Sequence, residues 1–407
     1  MTDTVVSFQP FDPSFLADPY PQYEALRGSV PVERHEFGFW ALWRHADVTA
    51  MLKDRLSVED TNVTTFGPMR EVYDEIYGEA DMQRRGGGVS MLDRDPPDHT
   101  RLRRLVSQAF TPKTVERLVP VIQDLVDEAL DRIADEGSVD LIEALAFPLP
   151  FAVISEMMGM PEDNVDRLRE LSSLIVRSLE PVPDAEVVRQ ILAADIEMAE
   201  RTAEAIAWKR QHPADDLLTA LINAEEAGDA LTDEELIAQV VLLYVAGHET
   251  TVNLIGNGTL ALLNHPEQAA IWRDRPDLDD NAVEELLRYD SPVQFTRRVT
   301  LEDYEVDGLT IPKGCFVMAS LGSANRDEAV FGPDAGVIKL DRPNAKQHAS
   351  FGGGVHHCLG NALSRREAKA ALSSLFRRFP NLVLAGTPTR NERINLRGVT
   401  DLPVTVY

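Results

Sequence analysis

The stretch Phe351-Gly352-Gly353-Gly354-Val355-His356-His357-Cys358-Leu359-Gly360 constrains this chain more than any other. Asn361 to Leu372 follow it, with apolar residues at helical spacing and good helix formers between them, which predicts a helix. Cys358 therefore stands where a glycine-rich turn feeds a helix N-terminus. Unpaired N–H groups and the positive end of the macrodipole gather there. That environment is expected to favour a thiolate over a thiol. A lone thiolate on a tight, apolar-flanked turn suits a single metal centre brought by a cofactor. An isolated cysteine is ordinarily a small buried hydrophobe, so the reading needs support from elsewhere in the chain.

Support comes from a second stretch. Thr232-Asp233-Glu234-Glu235 is a capping box, opening a helix that runs to about Asn264 and stops before Pro266. At ~1.5 Å per residue this is a rod of about 48 Å, long enough to cross the molecule. Its middle reads Ala246-Gly247-His248-Glu249-Thr250-Thr251. Glycine inside a helix costs about 1 kcal/mol relative to alanine. Threonine hydroxyls can bond the carbonyl one turn earlier and open a local gap. A groove beside Gly247, lined by an acid and a hydroxyl, is the expectation. The His-Glu pair does not make a zinc-protease helix, because Val252 stands where the second histidine belongs. A third stretch, Val283-Glu284-Glu285-Leu286-Leu287-Arg288, puts Glu285 and Arg288 on one helix face.

The rest of the chain bounds the reading. Forty basic against 67 acidic side chains give a net charge of −27, which argues against nucleic acid and against an anionic membrane surface. Cys315 and Cys358 make no disulfide framework, as expected in a reducing cytoplasm. No signal peptide or membrane anchor is read. The apolar run Leu236–Leu263 carries Gln239, His248, Glu249, Asn253 and Asn257, and reads as a buried helix. A hairpin is expected over Glu36–Trp43, and a long loop over about 61–96 that includes Arg84-Arg85-Gly86-Gly87-Gly88. Helices are expected at about 98–109, 112–135, 140–159, 163–178, 185–211 and 280–290, with strands and turns prevailing from 292 onward. The fold class is mainly α with small β-sheets: β-rich parts at about 30–60 and 292–407, and a helical body over about 95–290.

Taken in order, Ala-Gly-x-Glu-Thr-Thr, Glu-x-x-Arg and Phe-x-x-Gly-x-His-x-Cys-x-Gly resemble the cytochrome P450 family. The Asp95-Pro96-Pro97-Asp98-His99 and Ser323-Ala324-Asn325-Arg326-Asp327 stretches fit as well, so the resemblance covers nearly all of residues 1–407 as one domain of that fold. Length and the lack of an anchor are similar to the soluble bacterial branch.

The resemblance implies haem b (iron protoporphyrin IX) between the long helix and the cysteine loop, with Cys358 as the thiolate ligand of the iron. Gly354 and Gly360 would let backbone approach the sulfur and porphyrin, Phe351 would pack beside the ligand, and Gly247 would face the cofactor. His99, Arg103, Arg298 and His356 would meet its propionates, and His357 would be scaffold. Glu249 and Thr250 would deliver the protons needed to cleave dioxygen. Glu285, Arg288 and Arg342 would form a structural network; Ile338-Lys339 departs from the Phe-Asp common before Leu-Asp-Arg-Pro.

An apolar pocket would include Leu243, Ala246, Val293, Gln294, Phe295, Thr296 and Val399. The implied activity is hydroxylation or epoxidation of a small, largely apolar molecule. The alternatives are oxidative coupling, desaturation, peroxide-driven oxidation or a non-catalytic haem carrier. The chain has no flavin or nicotinamide fingerprint, so electrons would come from a ferredoxin-type partner. A basic patch of Arg103, Arg104, Arg365, Arg366, Lys369, Arg377 and Arg378 would receive it.

Overall fold

A computed structural model describes residues 6–64, 90–159, 165–181, 184–226 and 228–406. Most of the expected 61–96 loop, including Arg84–Gly88, lies outside the described residues. The capping box forms as expected: Thr232 Oγ1 accepts from Glu235 N–H, and the Glu235 carboxylate accepts from Thr232 N–H. It opens the central helix Asp233–Asn264. Burial runs almost all round this helix between Leu236 and Leu262, because the helices Pro148–Met158, Ala185–Gln211 and Asn361–Arg378 pack against it.

The expected 140–159 helix is broken. Ser138–Asp140 is a strand, Ile142–Ala146 a π-turn and Pro148–Met158 the helix. Pro148 has no N–H to continue an α ladder, and Phe147 N–H closes the π-turn on the Ile142 carbonyl at 2.8 Å. The other expected helices occur at Asp98–Ala109, Pro112–Glu136, Val165–Ile175 and Asp279–Tyr289.

Two distant parts of the chain share one sheet. The hairpin Val32–Arg34 and Trp40–Leu42 turns at Gly38, whose φ of 91° suits glycine. Trp40–Leu42 then pairs in parallel with Phe316–Ser320, which pairs antiparallel with Phe295–Val299. The strand Ser138–Asp140 pairs with Pro403–Thr405, so the chain's C-terminal region anchors the helical body. Phe8, Phe15, Tyr23, Trp43 and Phe295 form a buried aromatic cluster that fastens the N-terminal segment to the sheet. Asp290 joins Arg397 at 2.9 Å, Arg390 at 3.2 Å and Tyr20 at 2.8 Å, tying both ends of the chain to the helix Asp279–Tyr289.

Candidate active site

The cysteine loop is built on main-chain hydrogen bonds. Cys358 N–H donates to the Phe351 carbonyl at 2.9 Å, and Asn361 Nδ2 donates to the Cys358 carbonyl at 2.7 Å. Gly354 has φ of 63°, and a Cβ there would come within 2.1 Å of the Leu52 carbonyl. Its small size thus admits the helix His45–Lys53. At Gly360 a Cβ would meet nothing within 4 Å, and the position opens onto a cavity.

The helix start alone does not settle ionisation at Cys358. Burial pushes the Cys358 thiol up; the Gly360 and Asn361 N–H groups and the Arg103 and Arg365 guanidinium groups pull it down, but burial wins. A bound metal would add positive charge that favours the thiolate here.

His99, Arg103, Arg298 and His356 converge on the same cavity. The His99 and His356 rings lie 4.2 Å apart. Neither His99 nitrogen, nor His356 Nε2, has a hydrogen-bond partner among the described residues. Burial and neighbouring cations lower both imidazoles, His356 to about 3, so both are neutral. Arg103 Nη2 donates to the His357 carbonyl at 2.6 Å, and Arg298 Nη1 to Thr296 Oγ1 at 3.1 Å and the Arg297 carbonyl at 2.7 Å. A buried polar atom left unpaired costs about 1–3 kcal/mol. Two guanidinium groups beside orphaned imidazole nitrogens therefore fit a ligand's carboxylates. With Cys358 on the same cavity, these residues suit a propionate-bearing metal cofactor.

On the central helix the acid and the hydroxyl separate. Thr250 Oγ1 donates to the Ala246 carbonyl at 3.0 Å and borders the cavity. Thr251 Oγ1 donates to the Gly247 carbonyl at 3.3 Å and to Ser364 Oγ at 3.2 Å. Glu249 is not on the cavity wall; its Oε1 accepts from Arg393 Nη1 at 2.9 Å. Successive residues of an α-helix point about 100° apart, so Glu249 and Thr250 do not share a face. The expected groove is thus corrected to a hydroxyl-lined wall with the acid beside it. Gly247 borders the cavity, and a Cβ there would come within 2.9 Å of Ile154 Cδ1, so its size also serves helix packing.

The cavity has a volume of about 870 Å³. Leu243, Ala246, Val293, Phe295 and Thr296 border it as expected. Gln294 does not: just ahead of the strand Phe295–Val299 it is buried, accepting from Tyr23 Oη at 3.0 Å and donating to the Ser291 carbonyl at 2.6 Å. Val399 is also corrected; it packs towards Gly256 of the central helix, and Ile394, Asn395 and Leu396 take its place on the wall.

Four carboxylic acids on the wall, Asp93, Glu180, Asp195 and Glu367, carry no expectation from the sequence. Glu367 is fully buried, its Oε2 has no partner among the described residues, and burial pushes its pKa up to about 8. A signal existed in the sequence, since Glu367 falls on the helix stripe of Leu363, Ala368, Ala371 and Leu372. Arg393 carried no such signal.

Below the cysteine loop, Glu285 is completely buried between two arginines. Arg288 meets it through two bonds of 2.7 and 2.8 Å, and Arg342 Nε at 3.1 Å. The other guanidinium bonds go to carbonyls of Asn325, Phe331, Asp334, Ala335 and Val337, and Arg342 Nη1 also donates to the Asp334 carboxylate at 3.0 Å. Lys339 donates its main-chain N–H to Glu285 Oε1 at 2.8 Å while Ile338 is buried. A backbone donor is indifferent to the side chain, which explains why Ile338-Lys339 is tolerated here.

The expected basic patch is not a free positive surface. Arg365 pairs with Glu284, Arg366 with Glu116, Lys369 with Asp280, Arg377 with Asp279 and Arg378 with Asp131. Arg104 lies 3.9 Å from Asp229, and Arg103 points to the cavity. Neighbouring acids pair with these cations, in keeping with the chain's acidic composition.

A cysteine and a carboxylate-seeking rim around one apolar cavity define a haem-thiolate oxidoreductase. The chain belongs to the cytochrome P450 family, whose sequence model matches residues 35–402. It is 42% identical over 417 residues to cytochrome P450 107B1 of Saccharopolyspora erythraea, covering 99% of this chain and 98% of that protein. It is 37% identical over 414 residues to the polyketide biosynthesis cytochrome P450 PksS of Bacillus subtilis, covering 98% of each. A solved structure of P450BioI with a hexadec-9Z-enoic acid ligated acyl carrier protein superposes with a TM-score of 0.87 at 35% identity, covering 97% of this chain and 99% of that one. The family's cofactor is haem b, which supplies dioxygen activation when bound, and the enzyme class is monooxygenase. No helix among the described residues is long and apolar enough to cross a membrane.

Proposed function

We propose that this enzyme hydroxylates or epoxidises a small, largely apolar organic molecule, with electrons from a ferredoxin-type partner in the cytoplasm. The observation that carries the reading is the cavity of about 870 Å³, bordered by Cys358, Thr250 and aliphatic side chains together. Cys358 holds the iron. Arg103, Arg298, His99 and His356 hold the propionates, the arginines by charge and the imidazoles by their unpaired nitrogens. Phe351, Gly247 and Gly360, which border the cavity, would pack against the macrocycle.

Thr250 orients a water in the cavity by turning its hydroxyl away from the Ala246 carbonyl. Glu249 moves protons inward from the surface edge, exchanging its contact with Arg393 for water. The apolar wall excludes other water from the reacting carbon. PksS is named for polyketide biosynthesis and P450BioI is solved with a fatty acyl chain. Apolar chains of that general kind suit the aliphatic wall here.

The test is spectroscopic and then chemical. The ferrous carbonyl complex should show the red-shifted Soret band of thiolate ligation, and its absence overturns the assignment of Cys358. A compound library screened for the ferric low-spin to high-spin shift should yield apolar ligands. Product analysis with a surrogate ferredoxin and reductase should then find one added oxygen atom.

A further inference from the structure

Glu180 follows the turn Val176–Leu179, which joins the helices Val165–Ile175 and Ala185–Gln211 along one side of the cavity. Its carboxylate is half-buried and accepts three successive main-chain N–H groups. Oε2 takes those of Ile394 at 3.0 Å and Asn395 at 2.9 Å, and Oε1 that of Leu396 at 2.7 Å. Asn395 Nδ2 adds a fourth bond, to the Leu179 carbonyl at 3.2 Å. Two carboxylate oxygens offer enough lone pairs for three converging donors; an amide or hydroxyl does not. Burial pushes this carboxyl up, opposed by the three N–H groups and by Arg393.

The receiving segment is fixed from its other side. Gln294 N–H donates to the Asn395 carbonyl at 2.8 Å, and Arg397 N–H to the Pro292 carbonyl at 2.8 Å. Phe295 N–H donates to Asn395 Oδ1 at 3.1 Å. Segment 394–396 is therefore a post attached to the sheet. The Val176–Leu179 turn is held to it by Glu180 and Asn395.

We propose that Glu180 is a clasp that holds the two-helix wall against the Ile394–Leu396 post, and so selects ligands by size and governs their exchange with the cavity. Glu180 is a positioning residue: it acts through the wall it holds. The proposal rests on the reading that this cavity binds haem and substrate.

The test uses the full-length haem-loaded protein as wild type, Glu180→Gln and Glu180→Ala. Amide hydrogen exchange at Ile394, Asn395 and Leu396 should rise about tenfold or more in Glu180→Ala, the effect of one lost buried hydrogen bond. Glu180→Gln, with one acceptor oxygen, should fall between and guards against a variant that does not fold. Stopped-flow binding to the ferric haem, followed by the Soret shift, should show 4-phenylimidazole entering and leaving at least about fivefold faster, with imidazole unchanged. Wild-type protection of the three amides in both variants overturns the clasp. Equal acceleration of both ligands, or of neither, overturns selection by size. If wild type gives no Soret shift with imidazole, the haem reading falls, and amide exchange still decides whether Glu180 holds the wall.

Discussion

Arg393 Nη1 lies 2.9 Å from Glu249 Oε1, and this pair stands beside the cavity that Thr250 borders. The helix turns the acid about 100° from the hydroxyl, so the two can cooperate only through water or a change of the Arg393 contact. Glu249→Gln is expected to lower the rate of product formation about 100-fold. Substrate affinity, read from the spin-state shift, should be unchanged. Arg393→Ala keeps the acid and loses its anchor, so a smaller fall of about tenfold is expected. Equal rates in wild type and Glu249→Gln would remove the acid from the proton path.

Thr250→Ala should keep the haem and its carbonyl spectrum. Reducing equivalents are expected to leave as peroxide in place of product, because no hydroxyl remains to hold the cavity water. The ratio of product to NADPH consumed, with peroxide measured alongside, checks this. Unchanged coupling excludes Thr250.

Glu285 is buried between Arg288 and Arg342, and removing one member of such a network strands the other charges. Glu285→Ala is expected to destabilise the protein by about 3–5 kcal/mol. Urea denaturation followed by circular dichroism measures it. A loss below about 1 kcal/mol would mean the arginines find other partners.

Glu367 gives a pH dependence of definite sign. Its pKa is pushed up by burial to about 8 in the folded chain, against 4.5 for an ordinary glutamate. The folded form keeps a proton that the unfolded form has released. Its contribution is complete below about pH 4.5 and is lost as pH rises to about 8. Stability should therefore decline from pH 5.5 to 8, and Glu367→Gln, which carries no ionisable group, should flatten that decline. Parallel urea midpoints for both proteins across this range would refute the assignment.

Much of the local structure was legible because its causes are local. The capping box Thr232/Glu235 names the start of the central helix, and Gly38 among aromatics names the hairpin turn. The break at Pro148 was legible in principle, but the helical periodicity on both sides concealed it. The strand Ser138–Asp140 was not legible, since its stability lies in pairing with Pro403–Thr405, more than 260 positions away.

The site divides in the same way. Sequence alone singled out the candidate residues: Cys358 by its glycine-rich setting, Thr250 by its place in the apolar rod, and Glu285 and Arg288, by their spacing, as a structural pair. Tertiary structure decided where each side chain points and what it meets. It turned Gln294 away from the cavity, put Ile394–Leu396 where Val399 was expected, and set Arg393 on Glu249 and the Ile394–Leu396 N–H groups on Glu180. It also buried Cys358, and burial depends on every packed neighbour and works against the ionisation that the helix start favours. Residue type and spacing are properties of the chain itself; orientation, desolvation and long-range partners exist only after distant segments have packed together.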